Sequence, residues 1–234
     1  MKHTFLIKDW LSSFLSLLFP RCCVVCGRPL AKGEECICTV CNINLPRTNY
    51  HLRKDNPVER LFWGQIPLER ATSFFFYEKG SDFRLILHRL KYGGQKEIGA
   101  IMGRYMAAEL LSSNFFQGID VIIPIPLHKK KQQIRGYNQS EWIARGIAVV
   151  TGIPIDTESI LRKKNTETQT RKSVFERRDN VEGIFELQHP ETLAGKHILI
   201  VDDVLTTGST TLACASCLVD VEDIRISILT LAMV

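Results

Sequence analysis

Short apolar runs, broken by polar stretches marked with Gly and Pro, alternate along the chain with segments of helical period. Strands are predicted at 71–77, where Phe74, Phe75 and Phe76 run together, and at 120–125, 155–161, 183–187, 198–201 and 224–231. Helices are predicted over 83–90, 98–111, 140–150 and 211–218, with Ser140 placed to cap the third. Strands alternating with helices in this way predict an α/β domain built on a parallel sheet. Pro124 and Pro126 put the end of the second strand at a sheet terminus.

The flanks follow other patterns. Leu11, Phe14, Leu15, Leu18 and Phe19 share one side of an amphipathic helix over 1–20, which Pro20 ends. Lys8 and Asp9 interrupt its apolar run, no small-x-small cleavage site follows, and the run is too short to span a bilayer. Arg21 before Cys22 does not suit a lipid-anchored cysteine. Two uses stand for that helix, packing on the body of the protein or association with a membrane surface. Residues 21–46 form a small cysteine-rich unit, 47–70 a mixed, Pro-containing linker, and 71–234 the α/β domain. Residues 162–179 are polar, with only Val174 and Phe175 as apolar anchors, and suit a lid or a basic binding surface.

A length of 234 residues with a 45% hydrophobic fraction suits one α/β domain with a small appendage, and is far from a disordered or fibrous composition. Formal charge is +5, but between His128 and Arg178 twelve bases face five acids, net +7, leaving −2 for the rest. The positive field is therefore concentrated in one stretch, which points to phosphate-bearing partners.

Six of the eight cysteines lie between Cys22 and Cys41 in close pairs. Such pairs suit a metal site in the reducing cytoplasm better than a disulfide framework. Cys23 and Cys26 form one CxxC, Cys38 and Cys41 a second, and four thiolates satisfy a closed, structural, tetrahedral zinc site. Cys22 or Cys36 could replace a neighbour in that set. Cys214 and Cys217 share the spacing, but they fall within a predicted helix with no further ligand near them and are expected in the core.

The strand Ile198-Leu199-Ile200-Val201 runs into Asp202 and Asp203, then into Thr206-Thr207-Gly208-Ser209-Thr210. In an open parallel sheet this position faces the ligand crevice, and the amide groups opening the next helix attract an anion. The hydroxyls add donors, and Gly208 lets the backbone approach closely. Adjacent carboxylates beside a phosphate cradle fit a ligand that also carries ribose hydroxyls or a divalent cation. Helix capping alone would explain neither two acids nor five small residues in a row.

A second strand–loop–helix junction follows 120–125 and holds Lys129, Lys130, Lys131, Arg135, Gly136, Tyr137 and Asn138. A cationic loop there suits a leaving pyrophosphate, a nucleic-acid contact or a solvated face, and sequence does not separate them. Lys91-Tyr92-Gly93-Gly94 is either a helix stop or a ligand or nucleic-acid contact.

Residues 198–210 resemble the phosphoribosyl pyrophosphate (PRPP) motif of the type I phosphoribosyltransferases. The ordered blocks LKYGG, DVIIPIPLH, RGYNQSE, TQTRKSVFERRDNV and VDDVLTTGST, behind the paired CxxC, closely resemble the ComF (GntX-like) competence-protein family. The resemblance implies a type I phosphoribosyltransferase-like parallel sheet with flanking helices, plus a small N-terminal zinc ribbon. It also implies that Asp202 and Asp203 hold the ribose hydroxyls, that Thr206, Thr207, Gly208, Ser209 and Thr210 wrap the 5′-phosphate, and that Mg²⁺ accompanies PRPP. Residues 162–179 would then take the place of a flexible hood. The family's tie to uptake of transforming DNA implies contact with single-stranded DNA or with a replication or competence partner protein. The alternative it implies is an active enzyme transferring phosphoribosyl to a nitrogen acceptor, although no catalytic base stands out in the sequence.

Overall fold

In the computed structural model, which describes residues 20–163 and 183–234, the chain opens on a cysteine-lined knuckle that ends in helix α1 (Thr39–Ile43). Helix α2 (Pro57–Arg60), strand β1 (Leu68–Phe76), helices α3 (Arg84–Tyr92) and α4 (Glu97–Leu110), strand β2 (Val121–Pro124) and helices α5 (Lys129–Arg135) and α6 (Gln139–Thr151) come next. Strands β3 (Ile160–Arg162), β4 (Phe185–Leu187) and β5 (His197–Leu205), helix α7 (Ser209–Ser216) and strand β6 (Arg225–Met233) complete it. The N-terminal helix expected over 1–20 and most of the hood segment lie outside the described residues.

Strands β1, β6, β5 and β2 pair in that order, all parallel. The two central strands are apolar on both faces, as a sheet covered on both sides requires. Leu199 and Val201 of β5 enter one core with α4 and α6, while Ile198 and Ile200 enter the other with α7, β3 and β4. The α/β class, a parallel sheet with flanking helices behind a cysteine cluster, is the one the sequence predicts. Sequence expects a full strand over 155–161, but only Ile155 bridges to Ile122, and β3 pairs separately and antiparallel with β4. Asp156 ends the first pairing by accepting from the Glu158 and Ser159 amides at 2.8 and 3.0 Å, which turns the chain.

Residues 47–70 are not a spacer. The Thr48 amide donates to the Phe74 carbonyl, and the Thr48 hydroxyl donates to that of Ser73. Asn56 caps α2 and reaches the Ala71 carbonyl at 2.9 Å, and Glu59 completes the capping box. Val58 and Phe62 are buried by these contacts, so the segment lies along the edge of β1. Nor is the knuckle a separate appendage, because Val24, Val25 and Ile37 share the core of α4 and α6. Arg104 pairs with Glu35, and Arg47 pairs with Glu109 at 2.6 Å, across the same seam.

Two further differences bear on the site. Lys129–Arg135 is a helix rather than a loop, because Lys, Gln and Arg are good helix formers and the His128 ring accepts from the Lys130 amide at 3.3 Å. Asn138, not Ser140, caps α6, its carboxamide oxygen accepting from the Ser140 amide at 3.1 Å. Helix α6 lies directly on α4. A Cβ at Gly103 would stand 2.2 Å from the Ile143 carbonyl oxygen, and one at Gly146 would stand 2.1 Å from that of Ala100.

Candidate functional site

Strand β5 carries Asp202 and Asp203 to the carboxyl end of the sheet, beside the first turn of α6. Asp202 Oδ1 accepts from the Ser140 hydroxyl at 3.0 Å and from the Asp203 amide at 2.8 Å. Protein atoms surround this carboxyl, although a little of the residue still meets solvent. Burial first, and then the neighbouring charge of Asp203, pushes the Asp202 carboxyl up to about 7. Lys91 Nζ stands 3.1 Å from Asp203 Oδ1, so the second carboxylate of the pair has a cation beside it.

After Leu205 the chain turns through Thr206, Thr207 and Gly208, and α7 begins at Ser209. Gly208 has φ +74°, a conformation that disfavours any Cβ, and the Phe62 ring would stand 3.3 Å from one. Thr206, Thr207 and Thr210 are exposed, and the Thr207 and Ser209 hydroxyls share a hydrogen bond of 2.9 Å. The seven predicted residues Asp202, Asp203 and Thr206 to Thr210 therefore lie on one continuous strand end, turn and helix start. Carboxylate acceptors precede amide and hydroxyl donors, which is the donor set a phosphorylated sugar requires.

The residues predicted at the second strand–loop–helix junction play different parts. Lys131 and Arg135 are half-buried, and burial, then the charges of Arg162, Arg135 and Lys91, depress the Lys131 ammonium below its ordinary range. Arg162 is held down by burial and pulled back up by the negative charge of Asp202. Lys91 and Arg162 thus face the carboxylate pair, and Lys131 and Arg135 lie near those two cations. Lys129 and Lys130 are exposed instead. Tyr137 and Asn138 serve the framework, the phenol donating to the Leu90 carbonyl at 2.6 Å and the carboxamide to that of Ile125 at 3.0 Å. Gly136, with φ +80°, ends α5. A cavity of about 560 Å³ opens between α5 and the β3–β4 hairpin, lined in part by His128, Lys129, Asn138 and Arg162.

Sequence reasoning missed Ser140 as a partner of Asp202, Arg162 as a site cation, and Phe62 as the back wall of the turn. Ser140 looked like a cap, and the other two depend on contacts between elements distant in sequence. Lys91 had a signal in its basic turn, which both ends the helix at Tyr92 and brings the lysine to Asp203.

In the N-terminal knuckle, the Sγ atoms of Cys23, Cys26, Cys38 and Cys41 all lie within 4.8 Å of one another. Cys26 and Cys38 are 3.7 Å apart, close to the edge of about 3.8 Å that four sulfurs at about 2.3 Å from a central zinc would define. The Cys38 amide donates to Cys23 Sγ at 3.3 Å and the Cys41 amide to Cys38 Sγ at 3.4 Å, contacts that stabilise thiolates. The Arg28 amide, helped by hydrogen bonds from the neighbouring thiols, brings the Cys26 thiol down to about 6. Cys22 and Cys36 stay out of the cluster. Cys22 is exposed and bonds to the Pro20 carbonyl, while burial pushes Cys36 up to about 12. Cys214 is buried, and Cys217 donates to its carbonyl at 3.0 Å.

No protein-family profile matches the chain. Among solved structures it is similar to glutamine phosphoribosylpyrophosphate amidotransferase from B. subtilis, at a TM-score of 0.37 and 20% identity, over 58% of this chain and only 26% of that one. It is also similar to adenine phosphoribosyltransferase from Leishmania tarentolae, at a TM-score of 0.36 and 12% identity, over 81% of this chain and 94% of that one. Sequence relatives are nearer. DNA utilization protein YhgH of Escherichia coli O157:H7 is 32% identical over 209 residues, 83% of this chain and 88% of the relative. Competence protein ComFC of Bacillus subtilis is 26% identical over 216 residues, 90% of this chain and 83% of the relative. With that identity extending over most of both partners, the chain belongs to the family of DNA utilization and competence proteins that includes YhgH and ComFC.

Proposed function

We propose that this protein binds PRPP or a related phosphorylated ribose at the carboxyl end of β5, and that it serves in handling DNA. The observation that carries the ligand assignment is the sequence of groups from Asp202 to Thr210: two carboxylates, a glycine turn in a left-handed conformation, then the amide-bearing start of α7. Asp203, paired with Lys91, and Asp202, anchored by Ser140, accept hydrogen bonds from the ribose hydroxyls. The amides and hydroxyls of Thr206 to Thr210 hold the 5′-phosphate. Mg²⁺, arriving with PRPP, would supply charge neutralisation for the pyrophosphate. The DNA assignment draws on the names of the relatives and on the exposed Lys129 and Lys130, which suit the phosphates of single-stranded DNA. A replication or competence protein could share that contact. The cysteine cluster is read as a structural zinc site, closed and without catalytic work, and its need for reduced thiolates supports a cytoplasmic location.

A second reading is a working type I phosphoribosyltransferase with a nitrogen acceptor. It is favoured by Lys91, Lys131, Arg135 and Arg162 gathered where a leaving pyrophosphate would develop charge. PRPP with Mg²⁺ should raise the melting temperature of the protein, and Asp202→Ala should abolish that rise. No rise in the parent protein would overturn the ligand assignment. Pyrophosphate release with nucleobases, ammonia or glutamine separates the enzyme from a binding protein. Replacing Lys129, Lys130 and Lys131 by Ala should flatten the salt dependence of single-strand binding, and an unchanged slope would remove α5 from the DNA contact.

A further inference from the structure

Helix α3 ends on Tyr92, a residue 69% exposed. The Arg135 guanidinium stands 5.4 Å from its ring centroid, and His88, one turn earlier, lies 5.4 Å from it centroid to centroid with the rings tilted at 51°. Arg135 is held in place by a 2.7 Å hydrogen bond to Gln139 Oε1, so ring and guanidinium are presented as one preorganised surface. The next exposed side chain of α5, Ile134, is 85% exposed. A core function explains neither residue.

The surface continues. Lys96 stands 4.7 Å and Arg145 4.9 Å from the Trp142 centroid, with Arg145 also paired to Glu141. Gly99 fits between Leu90 and Trp142, where a Cβ would lie 3.2 and 3.0 Å from them, so the end of α3 that bears Tyr92 packs close to α6.

We propose that Tyr92 is a stacking platform for an unpaired base of single-stranded nucleic acid, with Arg135 and Lys131 taking the adjoining phosphate and Lys96 continuing the track toward Trp142. Rings interleaved with cations bind strands without sequence preference, because every base has a π-face and every linkage a charge. A duplex hides its base faces and would use only the cations. The proposal rests on the DNA-handling half of the reading above and gives that half a place, one residue from the Lys91 that holds Asp203.

The test is fluorescence anisotropy of the full chain with a labelled oligothymidylate, an abasic strand of equal length and the matching duplex. Tyr92→Ala should weaken oligothymidylate binding about 5- to 150-fold, the range that loss of one stacked base gives. Tyr92→Phe should keep it within about twofold. The abasic strand should bind the parent protein and Tyr92→Ala alike. An oligouridylate arm distinguishes RNA from DNA as the strand held, the tighter of the two being the natural source. The ring is exposed, so the melting temperature of Tyr92→Ala, and its rise with PRPP, should match the parent. Unchanged oligothymidylate affinity in Tyr92→Ala, or an equal loss on the abasic strand or duplex, overturns the platform. If the parent itself binds no strand, the DNA-handling half fails with it, while the PRPP assignment is judged separately by the melting rise.

Discussion

The Ser140 hydroxyl donates to Asp202 Oδ1 at 3.0 Å, tying the first turn of α6 to the end of β5. Because Asn138 supplies the helix cap, the serine side chain is spent on the carboxylate alone. Leaving a buried donor or acceptor without its partner costs about 1–3 kcal/mol. Ser140→Ala should therefore weaken PRPP binding by about 5- to 150-fold while the ligand-free fold persists. Titration calorimetry on the two proteins checks this, and equal affinities would release Ser140 from the site.

The raised carboxyl of Asp202 makes stability depend on pH with a definite sign. The folded protein keeps this proton up to about 7, whereas an unperturbed carboxyl releases it near 3.8. The stabilising contribution is complete in acid below the lower value and is lost as pH rises through the upper one. Asp202→Asn preserves the shape and removes the titration. Its stability relative to the parent should rise between about pH 4 and pH 8, by no more than about 4 kcal/mol. His51 and His197, both held below the usual imidazole range chiefly by burial, act oppositely but equally in the two proteins. Urea unfolding across that range, without added divalent cation, measures the difference, and parallel curves would contradict the proton on Asp202.

Gly208→Ala should cost stability and function together. The left-handed turn penalises a Cβ by about 1–2 kcal/mol, and the buried Phe62 ring stands 3.3 Å from where it would sit. The melting temperature should fall by several degrees, and the PRPP-induced rise should vanish. Retention of a full rise would show that the turn tolerates a displaced backbone.

Metal analysis of the purified protein should find about one zinc per chain, the stoichiometry of a Cys₄ site. Since Val24, Val25 and Ile37 lie in the core of α4 and α6, chelation should lower the single melting transition of the whole protein and not add a second one. Cys38→Ser should behave as chelated protein, while Cys22→Ser, outside the cluster, should not. A separate low-temperature transition would mean that the knuckle folds independently.

Local chemistry was legible in the sequence wherever one segment carries its own signal. The paired CxxC identified four clustered cysteines, and the apolar run before Asp202 identified the central strand. What remained hidden depends on contact between segments. Nothing local distinguishes the Ser140 hydroxyl that caps a helix from one that holds a carboxylate, and here Asn138 decides it from two residues away. Pro57 and Pro67 suggested a linker, yet Pro57 opens α2, and the buried Phe62 reaches the Gly208 turn. The lysines of α5 suggested a loop because their charge, and not their helix propensity, drew attention.

Gly103 and Gly146 bring the backbones of α4 and α6 into contact at a crossing where no side chain fits. That crossing works as a gauge block for the ligand crevice: the thickness of two bare backbones sets how far the serine on α6 stands from the strand it serves. A single methyl group at either glycine would lever the whole helix outward. Loss of the proposed ligand is therefore to be expected from substitutions on the side of the sheet turned away from the Gly208 turn, at positions remote from Asp202 and Asp203.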